Sequence, residues 1–425
     1  MPPMSWSDFA SPTISRPYAT ADRGFWDQDT SHACDALLQR SASVSEPTTR
    51  SLAAMAAPLN RKGFYEAMAF TQLDDGSEVN GKPTKNFISN SRAWKPGEEL
   101  PWDSLRNLPD FSVRQLGPGA FGGHVYAQAS LAAARVVEEE DKEAPRNEKL
   151  AIHSIQGVFT NPGLVDRPYL YHVQEVASGK SFCTRQITVR QPDQPSSNPK
   201  GPFPTSDAQL PMANVCFTSI VTFKRPIPPI DDVQLSEPPQ TRFASILNSR
   251  APDEWEPSPQ ADIDKLRELF PNAGHGAFPI VDMYKVDMRG FNEGKPIPER
   301  RELLLYRLLK PIPKEDVNAH IVCHAYEADR NGLLMPANYL GYGYNLGTVA
   351  SLSYSFYIHV NGEEAVMDGE GWWIQEVGWP RITAGRAMLE TRIWGPDGKH
   401  VASGYQDGVI FPQRKSPKAP KEQKL

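Results

Sequence analysis

Asp329 is the residue of this sequence most suggestive of chemistry. It follows Ile321 and Ala325 at four-residue spacing, so on a helix it shares their apolar face, and Asn331-Gly332 just beyond it is a helix stop signal. Burial and the negative end of a helix both disfavour a charged carboxylate. A carboxylate held that way is a better base, as the activation of a water requires. The same spacing fits an Asp paired with Arg330 or capping a turn, and spacing alone does not choose. Gln406 lies in VASGYQDG, where Ala402, Gly404 and Gly408 share its strand face. Three small residues around one amide imply that a helix or a ligand approaches the backbone there. The amide can donate and accept together, and so hold a water, or it can be a satisfied structural Gln. Ser351 begins the polar face of its predicted strand beside Ser353 and Ser355, where a hydroxyl can orient water or simply face solvent.

Two further groups invite a ligand reading. GPGAFGGHVYAQASLAAA (117–134) is a glycine-rich turn entering a helix, and its N–H groups, with Gly122-Gly123 permitting close approach, could bind a carbonyl oxygen or a phosphate. Close helix packing explains the same glycines. It is neither a phosphate-binding loop of the Walker type nor a dinucleotide fingerprint. His320 and His324 stand four apart, but no Glu occupies the position a zinc-protease helix would need, so both are expected to pack in the core and no metal is expected. There is no GxSxG elbow for a nucleophilic serine.

These residues need elements to hold them. Leu352, Tyr354, Phe356, Ile358 and Val360 alternate with Ser351, Ser353, Ser355, Tyr357 and His359, which predicts a strand with one buried face; Val215, Phe217, Val221 and Phe223 predict another. Val125, Ala129, Ala132, Ala133 and Val136 form a small-residue helical face, and Val317, Ile321, Ala325 and Ala328 a second. The pattern also repeats. YLYHVQEV (169–176) is echoed by GWWIQEV (371–377), and AIHSIQGVFTNPG (151–163) by ASLSYSFYIHVNG (350–362), about two hundred residues apart, so two similar folding units are expected. The forty prolines gather at 192–212, read as a loop, and at 225–280, read as a connection holding one short amphipathic helix at 261–270. The resulting organisation is an arm (1–60), a first domain (61–225), a linker (226–277), a second domain carrying the chemistry (278–413) and a basic tail (414–425).

With 425 residues, 39% of them hydrophobic, and a net charge of −6, the chain exceeds a single core and has no apolar run of membrane-spanning length. No basic, aromatic-studded stripe points to nucleic acid. Cys34, Cys183, Cys216 and Cys323 are widely separated, which predicts reduced thiols, and the start MPPMSWSDFASPT lacks a secretory pattern, so an intracellular protein is expected.

Taken together, the strings resemble the thioesterase II (TesB-like) family of acyl-CoA thioesterases. The first half does so in GPGAFGGHVYAQASLAAA, IHSIQGVFTNPG and VASGKSFCTRQITVRQ; the second does so in AYEADRNGLL, VASLSYSFYIHV and HVASGYQDGVI. The likeness runs colinearly over about residues 61–415. It implies an α+β double hotdog, two fused domains each with a long helix wrapped by a curved antiparallel sheet. It also implies hydrolysis of fatty acyl-CoA to acid and CoA without metal or organic cofactor. The family's Asp, Thr or Ser, and Gln fall on Asp329, Ser351 and Gln406; the first half would then contribute part of the acyl or CoA pocket, for which Gly122, Gly123, His124 and His153 are the candidate substrate-binding residues. In the first copy Thr218 stands where the second has Gln406. The chain departs from the family at Ser353-Tyr354, where Asp-His is usual, at Asn161 for an Arg, and at His124 for a Gln, changes that bear on which acyl group is taken. Self-association is a further implication. The ending Lys424-Leu425 resembles a peroxisomal address, so a peroxisomal protein met by an import receptor is expected, with the cytoplasm as alternative. The rival functions are an enoyl-CoA hydratase on the same fold and an acyl-CoA-binding protein without catalysis.

Overall fold

Strand alternation and turn placement resolve into one continuous antiparallel sheet of 13 strands, beside a small separate hairpin of Glu78–Val79 with Lys82–Pro83. The computed structural model describes residues 61–412 apart from 80, 99, 101–118, 144–148, 260, 270–277 and 343–345. The arm, the tail and Cys34 lie outside the described residues. In chain order the sheet strands are β1 (Phe70–Gln72), β2 (Lys85–Ser89), β3 (Ala151–Phe159), β4 (Leu170–Ser178), β5 (Phe182–Arg190), β6 (Phe217–Lys224), β7 (Glu256–Pro257), β8 (Val281–Lys285), β9 (Glu302–Leu308), β10 (Leu346–Ile358), β11 (Trp373–Thr383), β12 (Arg386–Trp394) and β13 (His400–Pro412). Two longer helices cross it, α1 (Gly122–Glu143) after β2 and α2 (Val317–Glu327) after β9.

The spatial order is β1-β2-β4-β5-β6-β3-β10-β13-β12-β11-β9-β8-β7. Read outward from the middle, β3-β6-β5-β4-β2-β1 on one side corresponds to β10-β13-β12-β11-β9-β8 on the other. The helix follows the second strand of each set. This is the duplication that the echoed strings imply, and it makes the fold a double hotdog of the α+β class. The halves join where β3 pairs with β10, Ser353 opposite Val158 and Tyr357 opposite Ser154.

The helices lie against each other because their facing residues are small. A Cβ on Gly123 would stand 2.6 Å from the Phe121 ring and 2.8 Å from the Tyr326 carbonyl oxygen, so α1 reaches α2 only through glycine. Ala129, Ala132 and Ala133 on α1, and Ile321 and Ala325 on α2, are fully buried. The 192–212 segment is a loop between β5 and β6 with a short turn of 3-10 helix at Thr205–Gln209. The 226–277 stretch is more than a bare connection. It adds β7 to the sheet edge, forms the helix Asp264–Leu269, and clips onto β11 through paired hydrogen bonds from Arg242 to Glu376, 2.9 and 2.6 Å.

Candidate active site

The α2 helix ends at Glu327, and the chain turns out through Asn331 in the left-handed conformation, φ 57°. That turn carries Asp329. It is pinned on every side: Trp379 Nε1 donates to the Gly332 carbonyl at 2.9 Å, Gln375 Nε2 to the Ala328 carbonyl at 3.0 Å, and Asn331 Nδ2 to the Pro259 carbonyl at 3.0 Å. Arg330 lies across the rings of Trp94 and Phe278, 4.7 and 4.5 Å from their centroids.

Asp329 thus sits at the junction of both halves. Its Oδ2 accepts the Gly123 N–H at 2.6 Å, at the N-terminus of α1, and its Oδ1 accepts from Gln406 Nε2. The same Gln406 nitrogen donates to Ser351 Oγ at 2.6 Å. With both amide hydrogens committed, Gln406 Oε1 is left as a buried acceptor without a partner among the described residues. Burial drives the Asp329 carboxyl up to about 7, against the opposing pull of the Gln406 amide, the Gly123 N–H and the Arg330 charge. The carboxylate is therefore half ionised near neutral pH, a suitable poise for a base.

Ser351 reaches this cluster through an irregularity that alternation conceals. Tyr354 lies opposite Gln406 and Ser353 opposite Asp407, but Ser351 lies opposite Gly408, so β10 carries one extra residue between the last two pairs. Gly408 shares the face of Gln406, and the bulge therefore turns Ser351 inward with it. The expectation that Ser351 continues the outward polar face with Ser353 and Ser355 is corrected accordingly. The glycines flanking Gln406 make room for side chains: a Cβ on Gly404 would stand 2.7 Å from the Tyr354 hydroxyl, and one on Gly408 2.3 Å from Leu333.

The other singled-out residues divide. Gly122 borders the carboxylate, a Cβ there standing 3.1 Å from Asp329 Oδ2, and Gly123 supplies it a hydrogen bond. Both glycines act in helix approach and in holding Asp329. Gly123→Ala is expected to cost about 1–3 kcal/mol by overpacking and to lower hydrolysis by moving the N–H, whereas Gly122→Ala is milder; thermal melts beside initial rates check this. His124 points into the core of the first half, its ring centroid 6.3 Å from that of Tyr169, and burial lowers it to about 4, so it is neutral. His153 is not brought to the cluster. It lies five residues from Val158, about 16 Å along β3, against Phe182. His324 is held by the Tyr306 hydroxyl at 2.7 Å and the Ala365 carbonyl at 2.8 Å, and His320 by the Pro313 carbonyl at 3.2 Å and the Met367 N–H at 3.2 Å. All four ring nitrogens are thus engaged in packing. Sequence reasoning missed Trp379, which anchors the turn carrying Asp329 from β11, and Glu327, fully buried two residues before Asp329; only the i, i+3 step from His324 to Glu327 hinted at the latter.

Residues 112–223 match the family of acyl-CoA thioesterase N-terminal domains. The chain is similar to human acyl-coenzyme A thioesterase 8, 24% identical over 303 residues that span 68% of this chain and 80% of that one. The rat acyl-coenzyme A thioesterase 8 is likewise 24% identical, over 294 residues, 68% and 79% of the two chains. Among solved structures, the acyl-CoA thioesterase II TesB2 of Mycobacterium marinum superposes with a TM-score of 0.51 at 20% identity, covering 82% of this chain and 98% of that one. A hot dog fold protein of Alicyclobacillus acidocaldarius gives 0.50 at 14%, covering 83% and 98%.

Proposed function

We infer that this chain, which belongs to the TesB-like acyl-CoA thioesterase family, hydrolyses acyl-CoA to the free acid and CoA by direct attack of a water that Asp329, Ser351 and Gln406 hold. The observation that carries the residue assignment is the convergence of Asp329, Gln406 and Ser351 on one amide nitrogen at a buried carboxylate poised near neutrality.

Asp329 takes a proton from the water as its oxygen bonds to the thioester carbonyl carbon. Gln406 Oε1, the acceptor its own contacts leave open, accepts a hydrogen bond from the second water hydrogen, which stays on the attacking oxygen, and the Ser351 hydroxyl, whose oxygen accepts from Gln406, is free to donate to that water. Collapse of the tetrahedral adduct breaks the C–S bond, and the proton on Asp329 goes to the departing thiolate. The positive end of α1, whose Gly123 N–H already meets Asp329, steadies the carboxylate in its ionised form. No acyl-enzyme forms in this scheme.

The test is release of CoA thiol from a panel of saturated and branched acyl-CoAs. For wild type, kcat/KM is expected to rise about tenfold per pH unit below a midpoint near pH 7 and then level, because the base must be ionised. Gln406→Ala should lose about 10²-fold; release of CoA at the wild-type rate would refute the assignment. Incubation with an enoyl-CoA separates the rival hydratase, which would form hydroxyacyl-CoA and no free thiol. The same reading includes a role in lipid metabolism, a peroxisomal home with the cytoplasm as its rival, self-association, and recognition by an import receptor. Co-imaging an N-terminally fluorescent fusion with a peroxisomal marker decides the location.

A further inference from the structure

The backbone of the turn that carries Asp329 would be served by a glycine. Residue 331 has φ 57°, a conformation that glycine takes freely and asparagine at a small cost. What asparagine adds is a carboxamide, and here it is 6% exposed and bonded at both ends. Asn331 Nδ2 donates to the Pro259 carbonyl at 3.0 Å, and its Oδ1 accepts from Arg330 Nη1 at 3.3 Å and, more loosely, from the Asp262 N–H at 3.4 Å. Arg330 Nη2 donates to the same Pro259 oxygen. Asn338, seven residues on, repeats the arrangement: its Nδ2 donates to the Asp262 carbonyl at 3.1 Å, and its Oδ1 accepts the Asp264 N–H at 3.0 Å. Two side-chain amides thus pair with the linker backbone as the peptide groups of a neighbouring strand would.

The linker is anchored from its other side as well. The Ser258 N–H donates to the Met283 carbonyl at 2.9 Å, and the fully enclosed Asp262 carboxylate accepts from Lys285 Nζ at 2.6 Å. Ala261, Ile263 and Leu266 pack in one cluster with Leu333, Leu346 and Ile410. Leu333 lies four residues past Asp329 and against Gly408, two past Gln406, so the linker bears on both partners of the contact between Asp329 and Gln406. We propose that Asn331 is a positioning residue that ties Asp329 to the interdomain linker, making the linker part of what holds that carboxylate on Gly123 and Gln406. The inference rests on reading Asp329 as the base. Asn338 grips the same linker nine residues from Asp329, and so holds the linker without aiming the carboxylate.

The test compares Asn331→Gly, which keeps the left-handed turn and removes the amide, with Asn338→Ala and Asp329→Asn. Rates for a saturated acyl-CoA are measured beside melting temperature and infrared titration of the Asp329 carboxyl, whose band is identified by its loss in Asp329→Asn. Both asparagine variants should melt below wild type, since each loses hydrogen bonds to the linker. Only Asn331→Gly should lower kcat, by at least about tenfold with KM within about twofold, because displacement of a positioned group falls on the chemical step. Its carboxyl midpoint should also fall by about one pH unit as water reaches the loosened turn. An excluded osmolyte, added to every sample, keeps the weakest variant folded. With Asp329→Asn slow, either readout unmoved in Asn331→Gly, or both moved equally in Asn338→Ala, overturns the proposal. If Asp329→Asn hydrolyses at the wild-type rate, the reading of Asp329 as base fails instead, and the midpoint in Asn331→Gly still decides whether the amide positions that carboxyl.

Discussion

Asp329→Asn is expected to lower kcat/KM for acyl-CoA by about 10²–10⁴-fold, the range of a lost general base, while leaving the protein folded and more stable than wild type in alkali. The second half of that expectation follows from the direction of the shift. The carboxyl titrates near 7 in the fold and near 3.8 outside it, so the native state prefers it protonated. Its contribution to stability is full below pH 3.8, declines as pH rises from about 4 to 7, and is gone above. An asparagine has no such slope. The gap between variant and wild type should therefore widen across that window, to the order of a few kcal/mol. The hydrogen bonds survive the exchange: the oxygen of the introduced amide can accept the Gly123 N–H, and a flipped Gln406 amide can present its partnerless Oε1 to the introduced NH₂ group. Melting curves of both proteins at pH 5 and pH 8, with rates at each, check the prediction. Equal rates would remove Asp329 from the mechanism.

Trp379→Ala should carry the largest stability loss. Trp379 is fully enclosed, its ring lies 5.5 Å from that of Tyr339, and its Nε1 fixes the Gly332 carbonyl three residues past Asp329. Truncation leaves a cavity worth about 3–5 kcal/mol and an unanswered buried carbonyl at the turn that aims the base. Chemical denaturation should show that loss, and kcat should fall at least about tenfold, since small displacements of a positioned group are costly. Trp379→Phe separates the two effects, recovering most of the packing but not the hydrogen bond. A variant that melts normally and turns over normally would show that the turn is held by other contacts.

Much of this was readable from the chain. Helical spacing placed the two facing helices, and the echoed strings at 151–163 and 350–362 became β3 and β10, the strands that join the halves. The inward stripe of Tyr354, Phe356 and Ile358 is buried as alternation requires. The bulge before Ser353 was not readable. A run of alternating serines looks the same whether or not the ladder carries an extra residue, and only pairing with β13 decides which serine turns inward. The glycine turn at 122–123 was visible, but its partner lies 206 residues away. The poise of Asp329 depends on how completely two helices and two sheet strands exclude water, a property of the assembled fold that no local spacing contains.

The order of the sheet also bears on solubility. The long ladders, including β10 and β13 at 13 residues each, are in the interior, and the meeting of β3 with β10 consumes the open rim that each half would have if alone. Among the described residues the outermost strands are short, three residues in β1 and two in β7, the latter ending in a proline. Such stubs offer a passing strand almost nothing to zip onto. Fusion of two halves therefore protects each from fibrillar self-assembly, and a half expressed without its sister would expose β3 or β10 as an adhesive border.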